Sequence, residues 1–217
     1  MRGKNIFRHS LYAILDLDLP YLKKDPFSLT KDLICGGIDI LQLRAKSLSG
    51  NYLVDIGMKI KKITKKKKVI FIINDRVDIA KAIDADGVHL GQEDLPVNLA
   101  RRILGKNKII GLSTHNLYQA KRAQLQDIDY ISVGPVFKSP TKPNLKPLGI
   151  ETLRKIIEIV NLPIVAIGGI NLRNIQLVLS SGVESIALIS AILRTREIVS
   201  KVKLFKRLIT NSAYGNL

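Results

Sequence analysis

Tryptophan is absent from this 217-residue chain, cysteine occurs once, and acidic residues are scarce: 18 stand against 35 lysines and arginines, a formal charge of +17. The lone Cys35 excludes an internal disulfide and a thiolate metal cluster. It precedes Gly36-Gly37 at a helix end and reads as a small core residue. Aromatics make up only 5% of the chain. None is interleaved with the basic runs, so there is no stacking platform for single strands and no motif that reads RNA or DNA. No apolar run reaches the roughly 20 residues that span a bilayer, and the N-terminus lacks the apolar core of a signal peptide. The expectation is a soluble, cytoplasmic protein with no membrane partner and no specific nucleic-acid partner. A homo-oligomer is compatible with this composition.

Nearly half of the residues are hydrophobic, 46%, which excludes a disordered chain. Isoleucine dominates them, a β-branched residue suited to buried parallel strands. The basic surplus has three readings: a polyanion-binding surface, a field that focuses small anions into a cleft, or a lysine- and isoleucine-rich composition of AT-biased coding. Its densest run, Lys65–Lys68, closes a helix, where positive charge complements the macrodipole.

Eight short apolar runs alternate with helical patterns. The strands are expected at Tyr12–Leu15, Ile40–Arg44, Val69–Ile73, Gly87–Leu90, Ile109–Leu112, Tyr130–Val133, Pro163–Ile167 and Ser185–Ile189. Between them, helices are expected at Phe27–Ile34, Gly50–Lys66, Arg76–Ile83, from Pro96 to before Gly105, from Asn116, at Ile150–Val160, Leu172–Ser180 and Thr195–Ile209. Gly36-Gly37 supplies a left-handed stop for the first helix. In the second, Val54, Met58 and Ile63 recur among lysines at helical spacing. Pro96 suits a first helical turn, Asn116 an N-cap, and Gly182 a helix end. Regular alternation of strand and helix argues for parallel βαβ units. Eight such units favour a closed (β/α)8 TIM barrel, with one domain over the whole chain and a core from about residue 11 to 210.

In such a barrel the C-terminal strand ends converge on one mouth, where active sites lie. Several apolar runs end in polar residues there. Gln42, Arg44 and Lys46 alternate along the second strand, so period two puts them on one face. Burying them unpaired would be costly, and either a ligand or acids at the rim would satisfy them. Asp75, beside Asn74 after the third run, and Asp94 after the fourth stand at adjacent strand ends. Two carboxylates there suit Mg²⁺ completed by substrate phosphates, although an Asp after a strand is more often an N-cap for the next helix, and Asp75 suits that role too. Gly168-Gly169 after the seventh strand and Ser190 after the eighth suit a phosphate site of the barrel type, or simply a tight turn. The loop Phe137–Leu148 holds Ser139, Thr141, Lys138 and Lys142. It is either a cover for an anionic ligand or a surface loop. His9 lies near the terminus, His89 reads as a hydrogen-bonded core residue, and His115 is open between proton transfer and packing. No Ser-His-Asp or Cys-His arrangement can be assembled.

These pieces, taken in order, resemble the thiamine-phosphate synthase family from Leu11 to about Ile192. They are Gln42-Leu43-Arg44-Ala45-Lys46, Ile73-Asn74-Asp75, Gly87-Val88-His89-Leu90-Gly91-Gln92-Glu93-Asp94, Gly111-Leu112-Ser113-Thr114-His115, Gly134-Pro135-Val136-Phe137, Ser139-Pro140-Thr141-Lys142, Ala166-Ile167-Gly168-Gly169-Ile170 and Ile189-Ser190. The resemblance implies a transferase that joins hydroxymethylpyrimidine diphosphate to a thiazole phosphate, both phosphorylated small molecules. By that resemblance Gln42, Arg44, Lys46, Asn74, Ser113 and Lys142 contact the pyrimidine diphosphate, and Asp75 and Asp94 hold Mg²⁺. Ser139, Pro140, Thr141, Gly169, Ile189 and Ser190 contact the thiazole phosphate, and Arg44, Lys46, Ser113 and Lys142 are the residues tied to catalysis. Where the family often reads Pro-Thr-x-Thr-Lys, this chain has Lys138-Ser139-Pro140-Thr141-Lys142, with a hydroxyl kept at Ser139. A thiazole phosphate tautomerase on the same barrel would need only the thiazole half of this set. A nucleic-acid binder would be motivated by charge alone and would show steeply salt-dependent binding.

Overall fold

The computed structural model describes residues 6–139, 141 and 145–212. Strands and helices alternate as β1 (Leu11–Asp16), α1 (Pro26–Gly36), β2 (Ile40–Arg44), α2 (Gly50–Lys66), β3 (Ile70–Asn74), α3 (Val77–Ala82), β4 (Gly87–Leu90), α4 (Val97–Leu104), β5 (Ile109–Thr114), α5 (Leu117–Ala123), β6 (Tyr130–Val133), α6 (Gly149–Ile159), β7 (Ile164–Ile167), α7 (Ile175–Leu179), β8 (Ser185–Leu188), α8 (Ser190–Leu193) and α9 (Ile198–Ser212). Each strand pairs in parallel with its sequence neighbours, and β8 returns to β1, so the sheet is a closed (β/α)8 barrel. Among the described residues no helix is long and apolar enough to cross a membrane.

Local chemistry accounts for the helix ends. Asp25 caps α1, its carboxylate accepting from Ser28 N–H at 2.8 Å, and Pro26 begins the helix. Gly37 ends it at φ 97°, a left-handed conformation that glycine adopts without a Cβ clash. Asn116 caps α5 through Gln119 N–H. Pro96 is the N-cap of α4 and not its first helical residue. The seventh helix is shorter than its pattern predicts. Asn171 and Asn174 accept backbone N–H groups from Arg173 and Asn171, a local turn that competes with helix. The eighth unit carries the short α8 ahead of α9, where the sequence pattern suggests one helix. The buried stripe of α2 is Leu53, Ile56, Ile60 and Thr64, while Met58 is 48% exposed. Cys35 is exposed, contrary to its core reading: Leu33 and Gly36 take the buried face of α1 and Cys35 falls on the opposite one.

Two layers of core follow from period two along the strands. One set of strand residues, including Leu11, Leu41, Phe71, Val88 and Ile131, packs outward against the helices. The other, including Tyr12, Ile40, Ile72, Ile109, Tyr130 and Val165, fills the barrel interior, with Phe7 stacked on Tyr130 at a ring distance of 4.3 Å. The interior positions turn polar toward the C-terminal ends: Ile40 is followed by Gln42, Ile72 by Asn74, Ile109 by Ser113 and Tyr130 by Ser132.

The opposite rim is held by a repeated clamp. Asp39, Asp86 and Asp129 each precede an even-numbered strand. Their carboxylates accept the N–H of Leu11, Phe71 and Ile110 on the preceding strand, at 2.7, 2.8 and 2.8 Å. Their own N–H groups donate back to the carbonyls of those same residues. A base neutralises each one: Lys206, Lys61 and Arg101. The Arg101–Asp129 pair is the most enclosed, with side chains 9% and 8% exposed, and Arg101 also donates to the carbonyls of Gly105, Lys108 and Asp127.

Removing one partner of an enclosed pair strands the other charge. Asp129→Ala is therefore expected to cost about 3 kcal/mol or more in urea unfolding. Asp39→Ala, whose Lys206 pair is partly solvated and screened, is expected to cost less, about 1 kcal/mol. Equal losses in the two variants would refute the dependence on enclosure.

Candidate active site

A cavity of about 900 Å³, counted out to its open mouth, occupies the C-terminal end of the barrel. Its wall includes Gln42 and Arg44 from β2, Asn74 from β3, Ser113 from β5, Ser139 and Thr141 beyond β6, Gly168 and Gly169 after β7, and Ile189 and Ser190 after β8. Residues scattered over some 150 positions of sequence thus face one space. Lys46, Asp75 and Asp94 stand at the rim beside it. Pro140 and Lys142 lie outside the described residues.

The β2–β4 side of the rim is charged. Lys46 Nζ lies 2.9 Å from Asp75 Oδ2. Asp75 does not cap α3, whose N-cap is Arg76 without a side-chain bond. Its φ of 62° is left-handed, a conformation that aspartate tolerates better than most residues but at some strain. In that conformation its carboxyl comes within hydrogen-bonding reach of Asp94. Burial raises the pKa of Asp75 above the ordinary carboxylate value, Lys46 pulls it down, and the neighbouring Asp94 pushes it up again. Asp94 also accepts the N–H of Gly91 at 2.6 Å, which folds the β4 loop back on itself. Among the described residues no group of three or more His, Cys, Asp or Glu side chains could hold a metal. A two-carboxylate site of this kind fits Mg²⁺, which commonly takes one or two carboxylates and completes its shell with substrate phosphate and water.

Arg44 is held from the β1 side. Its Nη1 contacts both carboxylate oxygens of Asp16 at 2.8 and 2.7 Å and Asp18 at 3.5 Å. Arg44 therefore lines the cavity and pairs with rim acids at once, and Lys46, just past β2, pairs with Asp75 at the rim.

Below the mouth runs a buried polar chain. Tyr12 and Tyr130 share a hydrogen bond at 3.0 Å, Tyr130 bonds His89 Nδ1 at 2.8 Å, and His89 Nε2 bonds Ser113 Oγ at 2.9 Å and Ser132 Oγ at 3.3 Å. Burial drives both phenols well above their ordinary pKa, so they stay protonated. Gly111 makes room for this chain, because a Cβ there would collide with the Tyr130 ring. His89, read from sequence as a hydrogen-bonded core residue, is that and also part of the cavity wall. Tyr12, Tyr130 and Ser132 carried no polar signal in their strands. Only alternation, with Tyr130 and Ser132 two apart, marks them as inward.

On the β5–β8 side, His115 also lines the cavity. Its Nδ1–H donates to the Gly134 carbonyl at 2.6 Å, which leaves Nε2 as the ring's acceptor. Gly168 and Gly169 have φ of 97° and 66°. A Cβ at Gly169 would meet the Lys138 carbonyl at 2.5 Å and Phe137 Cβ at 2.8 Å. The paired glycines thus make a tight turn that lets the β6–α6 loop close against β7. That contact brings Ser139, buried and bonded to Thr141 Oγ1 at 2.9 Å, to the same wall as Ser190, the first residue of α8. A short extra helix beside the β7 and β8 loops is a recurrent barrel phosphate site.

Fold and site together define a barrel enzyme with a polar cavity at its C-terminal mouth. The chain belongs to the thiamine monophosphate synthase family, whose model matches residues 11–192. Thiamine-phosphate synthase of Caldanaerobacter subterraneus subsp. tengcongensis is 45% identical over 185 residues, covering 84% of this chain and 86% of that protein. The Persephonella marina enzyme of the same name is 42% identical over 202 residues, covering 93% and 96%. Among solved structures, thiamine phosphate pyrophosphorylase from Pyrococcus furiosus superposes with a TM-score of 0.88 at 35% identity, covering 96% of this chain and 98% of that one.

The raised pKa of Asp75 has a consequence for stability. Above the ordinary carboxylate range, ionised Asp75 costs the folded state free energy that the unfolded chain does not incur. Below that range it is protonated in both states and the cost disappears. In the presence of a chelator, Asp75→Asn is expected to melt at a higher temperature than the parent near neutral pH. The difference should shrink toward zero by about pH 3. A variant less stable than the parent near neutrality would refute the raised pKa.

Proposed function

We propose that this enzyme joins 4-amino-2-methyl-5-(diphosphooxymethyl)pyrimidine to 4-methyl-5-(2-phosphooxyethyl)thiazole, releasing thiamine phosphate and diphosphate. The observation that carries the reading is the convergence, in one cavity, of a basic and amide-lined half from β2, β3 and β5 with a hydroxyl- and glycine-lined half from β6 to β8. The family to which the chain belongs supports the identity of the two substrates.

In this reading Gln42 and Asn74 hold the pyrimidine end, and Arg44, Lys46, Ser113 and Lys142 take the diphosphate. Ser139, Pro140, Thr141, Gly169, Ile189 and Ser190 hold the thiazole phosphate. Asp75 and Asp94 would bind Mg²⁺, which supplies charge stabilisation to the departing diphosphate. The C–O bond from the methylene to diphosphate breaks, and positive charge spreads into the electron-rich aminopyrimidine. The thiazole nitrogen then donates its electron pair to that methylene. Arg44, Lys46 and Lys142 stabilise the charge developing on the leaving group. No protein nucleophile is required, which agrees with the absence of any triad in the sequence. The contribution of the cavity is to hold the thiazole nitrogen against the methylene and keep water from the cation. The Tyr12–Tyr130–His89 chain orients the Ser113 hydroxyl from beneath.

The test is a coupling assay with both substrates. Thiamine phosphate is expected to form with Mg²⁺ and to stop on chelation. Asp75→Ala and Asp94→Ala are each expected to lower kcat by about 100-fold or more, the scale at which removing a charge stabiliser of the transition state acts. Full turnover of either variant under chelation would sink the metal assignment. No product from the parent enzyme with the metal present would sink the reaction.

A further inference from the structure

Two acids at the end of β1, Asp16 and Asp18, face two bases at the end of β2, Arg44 and Lys46. Parallel register pairs Asp16 with Arg44, and two residues further on Asp18 reaches Lys46. Asp16 is enclosed, its side chain 4% exposed against 24% for Arg44. Both of its oxygens contact the same guanidinium nitrogen, Nη1, and so does Asp18. Asp18 N–H donates back to Asp16 Oδ1 at 3.2 Å. A guanidinium carries five N–H donors in a rigid plane, and its Nε–Nη2 edge is the fork that matches two phosphate oxygens. Anchoring at Nη1 restrains the guanidinium from the β1 side. Asp18 does the corresponding work on the backbone: it accepts Lys46 N–H at 2.7 Å and Ser47 N–H at 3.1 Å, and also bonds the Ser47 hydroxyl. This sets the start of the β2–α2 loop from which Lys46 extends.

We infer that Asp16 and Asp18 are positioning residues for the diphosphate, Asp16 by turning the Arg44 fork toward the cavity and Asp18 by fixing the backbone that carries Lys46. The inference rests on the assignment of Arg44 and Lys46 to the diphosphate. Electrostatics and positioning predict opposite signs here. A carboxylate beside Arg44 weakens the pull on any anion, so if charge alone mattered, Asp16→Asn would bind diphosphate more tightly. If Asp16 positions the fork, the same variant binds less tightly and turns over more slowly.

The experiment measures coupling kinetics with Mg²⁺ present and binding of inorganic diphosphate by calorimetry. It uses the parent, Asp16→Asn, Arg44→Ala and the double variant. Asp16→Asn is expected to lower kcat/KM for the pyrimidine diphosphate by about 10- to 100-fold and to leave KM for the thiazole phosphate within about 2-fold. In the Arg44→Ala background the same change should alter kcat/KM by less than about 3-fold, because the acid acts through the arginine. Asp18→Asn, at a more open position that a folding defect would spare, should lower kcat/KM by about 5-fold or more. Unchanged or tighter diphosphate binding in Asp16→Asn overturns the inference. So does an equal loss with and without Arg44, or full activity of Asp18→Asn. A parent enzyme that binds diphosphate but couples nothing overturns the substrate reading instead and leaves the binding comparison to decide the role of Asp16.

Discussion

Closing eight strands around one axis is the constraint on which everything else here depends. It sends every second residue of every strand into a single narrow interior, where each must fit its neighbours and each polar group must find a partner. The bottom of that interior is solved with apolar bulk: Phe7 on Tyr130, Ile40, Ile72 and Ile109. The middle is solved with a hydrogen-bonded chain of Tyr12, Tyr130, His89, Ser113 and Ser132. Gly111 is there because the Tyr130 ring leaves no space for a Cβ. The same closure leaves the upper inward positions, Gln42, Asn74 and Ser113, with no strand above them. Their polar ends meet the cavity.

A chain so poor in acid gathers seven of its aspartates at the two rims. Of its 18 acidic residues, Asp39, Asp86 and Asp129 clamp the lower rim and Asp16, Asp18, Asp75 and Asp94 gather at the upper. Below, each carboxylate has a backbone N–H and a base, so its charge is compensated and it stabilises the closure. Above, Asp16 and Asp18 pair with Arg44, but compensation at Asp75 is incomplete. Lys46 pairs with Asp75, Asp75 sits in left-handed backbone beside Asp94, and burial works against its ionisation. Stability and chemistry are thus assigned to opposite ends of the same strands, and the contrast is one of charge balance rather than of residue type.

Much of this could be read from the chain. Alternation of apolar runs with helical patterns led to the barrel, and the second strand led to Gln42 and Arg44, because period two and the direction of a strand are local properties; Asn74 and Ser113 entered as ligand contacts only through the family resemblance. What could not be read was contact between strands. Asp16 and Asp18 form an unremarked alternating pair until register sets them against Arg44 and Lys46. Asp75 looked suited to capping α3 until its backbone turned left-handed and carried the carboxyl to Asp94. Cys35 looked like core, but the phase of α1 puts it outside. The seventh helix was over-extended because asparagine side chains capture the backbone before it begins.

The sequence by itself determined the elements, their order and the polar residues at strand ends, since these depend on short-range sterics and on hydrophobic period. The tertiary structure alone decided which acid meets which base, which inward hydroxyl joins the histidine chain, and how the loops after β6, β7 and β8 share one wall. Those outcomes depend on barrel register and on the finite volume of a closed interior. Both are properties of all eight strands together and of no segment taken alone.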